Sequence, residues 1–197
     1  YMEGSTLENI NNITKRTYVA KGVYDEKVDR KDLKTLVFCA PVRNVVHTFE
    51  STERNVTAFH AKLCASIFNG ELKERFDPSV SFNNRSASGE FKDAVYLTSD
   101  LPNGEREEIL ESFRTIGRPP FVLCTVGMLI EGFDFPDMEN LILLRPTLSM
   151  RLFEQQVGRV TRLPRVAGKV RGRIFEVVDD IDSLYDSFGD GVFNEKA

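Results

Sequence analysis

The sequence predicts an α/β domain built as a doubly wound sheet of mainly parallel strands with helices on both faces. Five short runs are nearly continuous in apolar residues, as expected of parallel strands that are buried on both faces. They span residues 35–39, 94–98, 121–126, 141–145 and 174–179. Apolar residues at helical spacing separate several of these runs, and strands that alternate with helices are typical of a parallel sheet.

Two helices are predicted from apolar stripes between these strands. The first stripe consists of Val56, Phe59, Leu63, Ile67 and Phe68. The second consists of Ile109, Leu110, Phe113 and Ile116, with Gly117 as the predicted C-cap. Residues 41–55 and 77–92 fit this scheme poorly, and we interpret both as surface insertions without chemistry, because long insertions there cost little stability.

Composition limits the classes of protein to consider. The 197 residues are 41% hydrophobic and 28% charged, which suits one well-buried domain and excludes a wholly disordered or fibrous chain. The sequence has neither a membrane-length apolar run nor the pattern of a signal peptide, so we expect a cytoplasmic protein without a membrane partner. Three widely spaced cysteines and two histidines predict a reducing setting and no metal site. We expect buried cysteines and a packed or capped His60 rather than catalytic groups.

The net charge of −4 conceals a strong segregation of charge. Residues 145–173 contain eight basic side chains and one acidic one, whereas residues 174–197 contain seven acidic side chains and one basic one. The basic segment predicts an anionic partner. We divide the chain into an N-terminal arm or linker over residues 1–33, a domain over 34–188 and an acidic tail over 189–197. Within the arm, residues 17–24 are a possible strand.

Residues 149–162 are the most informative segment. As a helix capped by Ser149, the segment has one apolar face and an opposite face of four polar residues, Arg151, Gln155, Arg159 and Arg162. An ordinary solvated face is the alternative. However, Arg159 and Arg162 have no carboxylate four residues away, and Gly158 costs a helix interior about 1 kcal/mol. Paired arginines without a local acid suit a phosphate group.

A second segment follows the predicted strand at 121–126. Thr125 would place a hydroxyl at the carboxyl end of that strand, where open α/β sheets bind ligands. Gly132 allows a tight turn, and Asp134 places a carboxylate at the rim. Taken alone, this pattern is also typical of a purely structural turn.

Together the two segments resemble motifs V and VI of superfamily 2 helicases and translocases. The pattern is Thr-x₆-Gly-x-Asp-x-Pro, then a strand, then Gln-x-x-Gly-Arg-x-x-Arg. Residues 34–40 are similar to motif IV, so the resemblance covers about residues 34–182. It is most similar to the branch that contains the motor subunits of type I and type III restriction enzymes and related repair helicases.

The resemblance implies a RecA-like fold and a set of functional residues. It implies that Arg159 and Arg162 act as arginine fingers on ATP with support from Gln155, and that Asp134, Gly132 and Gly158 line the nucleotide site. Thr125 and Arg151 are expected to contact nucleic acid.

The resemblance also implies partners. The chain lacks the phosphate-binding loop and the acidic box, so it resembles the second of two motor domains and is expected to be inactive alone. ATP and Mg²⁺ would be held with an N-terminal RecA-like domain. DNA is the expected track, with RNA not excluded, and restriction or repair subunits are further partners. The alternatives are an RNA helicase domain and a non-catalytic module that binds nucleic acid or docks to protein.

Overall fold

A computed structural model describes residues 6–40, 58–72, 81–126, 138–144 and 172–177 of the chain. These residues form three helices and five strands. In chain order the elements are α1 (Thr6–Lys27), β1 (Lys34–Phe38), α2 (Phe59–Phe68), β2 (Ala94–Leu97), α3 (Asn103–Arg114), β3 (Val122–Thr125), β4 (Met138–Leu143) and β5 (Arg173–Glu176).

The five strands form one sheet in the order β2-β3-β1-β4-β5, and every neighbouring pair is parallel. All residues of β1, β2, β3 and β4 are buried, whereas β5 is partly exposed. The five predicted strands are thereby confirmed, with bounds that shift by one to three residues. The near-continuous apolar runs exist because helices cover both faces of this sheet.

Alternate residues of the strands face two separate hydrophobic cores. On one face, α1 and α2 pack on the sheet, with Tyr24 and Cys64 among the buried contacts. On the other face, Ile109 and Phe113 of α3 fill the core against the strands. The prediction of helices on both faces is therefore confirmed. The predicted cap Gly117 lies beyond the helix end, because α3 is capped by Thr115 and Gly117 takes a positive φ of 74° in the turn that follows.

The possible strand at residues 17–24 is wrong, because these residues lie within the 22-residue helix α1. The buried side of α1 includes Ile13, Thr17, Ala20 and Tyr24. Thr17 donates its hydroxyl proton to the carbonyl oxygen of Ile13 at 2.7 Å, so a polar side chain is satisfied within its own helix. The domain boundary between residues 33 and 34 stays a prediction, but α1 packs on the sheet as part of the core.

The outer edge of β2 is closed by two asparagine side chains. Asn69 donates to the carbonyl oxygen of Ala94 at 2.8 Å and accepts from its N–H at 2.9 Å. Asn84 makes the same pair of bonds with Tyr96, at 3.0 and 2.8 Å. Part of the segment interpreted as an insertion without chemistry therefore seals the sheet. Among the described helices, none has the length and apolar character needed to cross a membrane.

Candidate functional site

The carboxyl ends of three adjacent strands meet at one level of the sheet. Phe38, the last residue of β1, pairs with Thr125 at the end of β3 and with Leu143 at the end of β4. Since neighbouring strands lie about 4.8 Å apart, the ends of β3 and β4 are separated by about 10 Å across β1. Parallel sheets bind their ligands at this edge, so it is the candidate site.

Thr125 lies at this edge, at the end of β3 and next to Phe38. Its carbonyl oxygen accepts a hydrogen bond from the N–H of Cys39 at 2.7 Å, which extends the ladder between β1 and β3 by one step. Its side chain is fully buried, and its Oγ1 has no hydrogen-bond partner within the described residues. Within the described part of the chain, Thr125 thus has an unused donor and acceptor beside the strand ends, and a buried hydroxyl without a partner costs roughly 1–3 kcal/mol.

The end of β2 carries an ion pair rather than a free cation. Lys62 of α2 pairs with Asp100 across an edge that is largely shielded from solvent. Burial opposes ionisation of Asp100, but the hydrogen bond and the positive charge of Lys62 help to outweigh it, so the pKa of this carboxyl is lowered. The Lys62 ammonium also lies 5.5 Å from the centre of the Tyr96 ring. Its charge is therefore already compensated, and an anionic ligand must find positive charge elsewhere.

The three cysteines form one buried cluster behind the strand ends. Cys39, Cys64 and Cys124 are free thiols with no exposed surface, and they belong to the same hydrophobic core. Burial raises the pKa of Cys64 and Cys124 well above the ordinary value, so both stay protonated. The expectation of small buried side chains is confirmed. Among the described residues, no group of three His, Cys, Asp or Glu side chains is arranged to hold a metal ion.

His60 of α2 is fully buried next to this cluster. Its Nδ1 accepts a hydrogen bond from the N–H of Ala40 at 2.9 Å, and its Nε2 lies 3.1 Å from Oγ1 of Thr17. The expectation that His60 is packed is confirmed, because the ring is buried and both of its nitrogens lie at hydrogen-bond distance from a partner. Its link to Ala40, the residue that follows the last ladder bond of β1, was not predicted.

An open groove of about 700 Å³ lies away from this edge, between α3 and the loops that contain Phe91 and Pro119. Its lining mixes both signs of charge, including Arg85 and Glu108, and those two side chains pair with each other. The groove is separate from the strand ends and is not part of the candidate site.

The sequence matches a known protein family over most of its length. A model of the helicase conserved C-terminal domain matches residues 20–164. The chain belongs to this family. The match begins within α1, in agreement with the packing of that helix on the sheet.

Curated relatives of this helicase C-terminal domain include a subunit of a type I restriction enzyme. The chain is 28% identical over 153 residues to the type I restriction enzyme EcoKI endonuclease subunit of Escherichia coli K12, which covers 77% of the chain and 11% of that protein. It is 41% identical over 98 residues to a 51.5 kDa protein of a Lactococcus phage, covering 48% of the chain and 21% of the relative. The chain thus spans about a fifth or less of the curated relatives that it matches.

Solved structures share the RecA-like fold of this helicase C-terminal domain. An HsdR-type fragment of a type I restriction enzyme from Vibrio vulnificus YJ016 matches 96% of the chain and 31% of its own length, with a TM-score of 0.62 and 22% identity. Dbp5 of Saccharomyces cerevisiae, bound to RNA and ADP BeF3, matches 90% of the chain and 37% of its own length, with a TM-score of 0.54 and 18% identity. At these identities the likeness establishes the fold alone.

Most of the predicted site residues lie outside the described part of the helicase C-terminal domain. They are Gly132, Asp134, Arg151, Gln155, Gly158, Arg159 and Arg162. The segment with Gly132 and Asp134 follows β3 along the chain, and the segment with the arginines follows β4. Both of these strands end at the described edge. Of the predicted site residues, Thr125 is described, and it lies at that edge. The roles assigned to all eight residues stay predictions.

Proposed function

We propose that this chain is the second motor domain of an ATP-dependent helicase or translocase that acts on DNA. The observation that carries the proposal is the shared edge at Phe38. Thr125 and Leu143 flank that residue. The segment that resembles motif V begins at Thr125, and the segment that resembles motif VI, within residues 149–162, follows Leu143 along the chain. The strands that precede the two segments thus end about 10 Å from each other, which supports an action of both segments on one ligand.

The nucleotide contacts come from both segments. In the proposed arrangement Arg159 and Arg162 bind the terminal phosphates of an ATP molecule that another domain holds with Mg²⁺, and Gln155 supports them. Asp134 contacts the ribose, and Gly132 and Gly158 allow close approach of the backbone. Phosphoryl transfer depends on charge stabilisation more than on covalent chemistry, so guanidinium groups supplied from a second domain are sufficient for this role. Hydrolysis then requires closure of the two domains, which couples the reaction to movement.

The nucleic-acid contacts use Thr125 and Arg151. The hydroxyl of Thr125 is buried without a partner in the described part of the chain, which supports a role in donating a hydrogen bond to a phosphate oxygen. Contacts of this kind position a strand without reading its sequence. DNA is the proposed track because the EcoKI subunit among the relatives belongs to a restriction enzyme. A preference of the purified protein for RNA would replace the DNA assignment by the RNA helicase alternative.

The proposal includes the partners of the complete protein. An N-terminal RecA-like domain supplies the phosphate-binding loop and the acidic residues for Mg²⁺. Restriction or repair subunits in the cytoplasm are the proposed assembly partners, since a restriction subunit is among the relatives.

The test is Arg162→Ala in the protein that carries both motor domains. We expect nucleic-acid-stimulated ATP hydrolysis to fall by about 10³–10⁵-fold in kcat, the effect of removing an arginine finger. Far-ultraviolet circular dichroism and the melting temperature should stay unchanged. Lys15→Ala is the control, because it removes an exposed positive charge from α1 and should leave kcat within about two-fold of the wild type. An Arg162→Ala variant with wild-type kcat would refute the finger.

A further inference from the structure

His60 joins three elements through its two ring nitrogens. It lies on α2, accepts from the backbone of Ala40 after β1, and contacts Thr17 on α1. The contacts span 20 and 43 residues of sequence, respectively. A single buried side chain thus ties a helix, the end of the central strand and the N-terminal helix together.

The hydrogen-bond network assigns one tautomer to His60. Thr17 donates its only hydroxyl proton to the carbonyl oxygen of Ile13, so its oxygen must accept from the ring. Ala40 donates its N–H to Nδ1. The ring is therefore neutral, with its proton on Nε2, and each nitrogen has one partner. This arrangement leaves no lone pair for acid–base chemistry.

Ala40 lies where the backbone leaves the sheet at the end of β1. This strand lies between β3 and β4, which precede the segments that resemble motifs V and VI. The N–H of Cys39 still bonds to Thr125 at 2.7 Å, and the N–H of Leu144 bonds to Phe38 at 2.9 Å. The next backbone donor along the chain is that of Ala40, and it bonds to His60 instead of to a strand. His60 therefore extends the ordered backbone one residue beyond the ladder, directly beside Thr125.

We propose that His60 is a positioning residue for nucleic-acid binding, which holds Ala40 and the strand ends in the arrangement that contacts a phosphodiester backbone. This inference rests on the proposed function. The contact of His60 with Thr17 adds α1 to the same set of contacts. A substitution on α1 is therefore expected to affect the nucleic-acid edge although α1 does not contact the nucleic acid.

The surroundings of His60 favour its neutral form. Burial lowers its pKa, and the guanidinium of Arg16 on α1 acts in the same direction. On the other side, the charge of Cys39, just after β1, favours the charged form. The neutral ring matters because a protonated Nδ1 would place two N–H donors against each other at Ala40.

The experiment compares His60→Leu with His60→Asn in the 197-residue chain. Leucine removes the acceptor for Ala40, whereas asparagine places an oxygen the same number of bonds from Cβ as Nδ1 and can accept that N–H. Ile67→Val is the matched control, because it is a loss of packing on the same helix without a link to Ala40. The readouts are hydrogen exchange at the Ala40 amide, the melting temperature and the Kd for a fluorescein-labelled single-stranded DNA.

For His60→Leu we expect faster exchange at Ala40 and a Kd about ten-fold weaker, the effect of one lost hydrogen bond on the binding edge. His60→Asn and Ile67→Val should keep the Kd within about two-fold of the wild type. If the wild type binds DNA and His60→Leu binds it equally well, the positioning role of His60 is overturned and the proposed function is not. Equal weakening by His60→Leu and His60→Asn would have the same consequence. A wild-type chain that binds neither DNA nor RNA would overturn the proposed function, and this inference with it.

Discussion

At the scale of single residues, Lys34 shows how a charged group is accommodated in the core. It begins β1 and has no exposed surface. Its ammonium donates to the carbonyl oxygens of Arg118 and Pro120, both at 2.6 Å, and lies between the rings of Phe113 and Phe121 at 5.4 and 5.3 Å. Burial lowers the pKa of Lys34 from 10.5 to about 8. The side chain thus anchors the loop that precedes β3 while its charged form is disfavoured.

Lys34→Met tests this balance through the pH dependence of stability. A folded-state pKa of about 8 against 10.5 in the unfolded chain means that the unfolded state binds more protons between these values. The contribution of Lys34 to the free energy of unfolding therefore rises with pH across that window. The neutral amine keeps two protons for its two carbonyl partners. We expect the substitution to cost about 1–3 kcal/mol at about pH 10 and less at about pH 7.

Urea denaturation of both proteins at the two pH values measures the difference. Lys15→Met is the control, since Lys15 is exposed on α1 and its substitution should change little at either pH. A loss of stability that is the same at both pH values would show that Lys34 keeps its ordinary pKa.

At the scale of elements, α1 is a helix that the sequence pattern did not predict. Its buried positions, Ile10, Ile13, Thr17, Ala20 and Tyr24, advance by three or four residues, which is a helical period. Thr17 is polar and interrupts the apolar pattern. The helical period is therefore hidden, and the pattern indicates an arm or a strand instead. Its hydroxyl bonds within the helix, so it is buried at little cost. The five strands were easier to predict, because burial on both faces requires apolar residues in sequence.

The edge of β2 is a second element that the sequence pattern did not reveal. An edge strand presents unpaired N–H and C=O groups that can pair with another chain. Asn69 and Asn84 satisfy these groups at Ala94 and Tyr96 with two hydrogen bonds each. An amide side chain imitates a neighbouring strand, but nothing in the composition of residues 77–92 distinguishes this use from that of an ordinary polar loop.

Asn69→Leu combined with Asn84→Leu should open this edge. Four hydrogen bonds are lost and the backbone groups of Ala94 and Tyr96 become unsatisfied, so we expect the free energy of unfolding to fall by about 2–6 kcal/mol. We also expect the folded variant to associate through β2 more strongly than the wild type does. Sedimentation equilibrium and urea denaturation measure the two effects.

Asn83→Leu is the matched control, because Asn83 is exposed beside Asn84 and bonds only to the nearby N–H of Arg85 among the described residues. A double variant with wild-type stability and an unchanged association state would contradict the sealing role.

At the scale of the whole molecule, the order of motifs predicted the family. The parallel sheet explains why the strands that precede two of these motifs end at one edge. Strands that run in the same direction place every carboxyl end together, so the segments after β3 and β4 start beside each other. The link from His60 to Ala40 and Thr17 could not be predicted in this way. It depends on three elements meeting in space, and a lone histidine on a helix gives no signal of its distant partners.

The distribution of charge over the molecule leads to the last prediction. The chain is acidic as a whole, with a net charge of −4, yet residues 145–173 hold eight of its basic side chains. If Arg151 and other side chains of this segment contact strand phosphates, binding must release counterions, and the slope of log K against log salt is about −0.7 for each contact on a single strand. We expect Arg151→Ala to weaken binding at low salt and to make this slope less negative by about 0.7.

Lys15→Ala removes an exposed positive charge from α1 and should leave the slope unchanged. Fluorescence anisotropy with labelled DNA over a series of salt concentrations provides both slopes. An affinity that does not vary with salt would mean that the basic segment serves the acidic tail of its own chain instead of a nucleic acid.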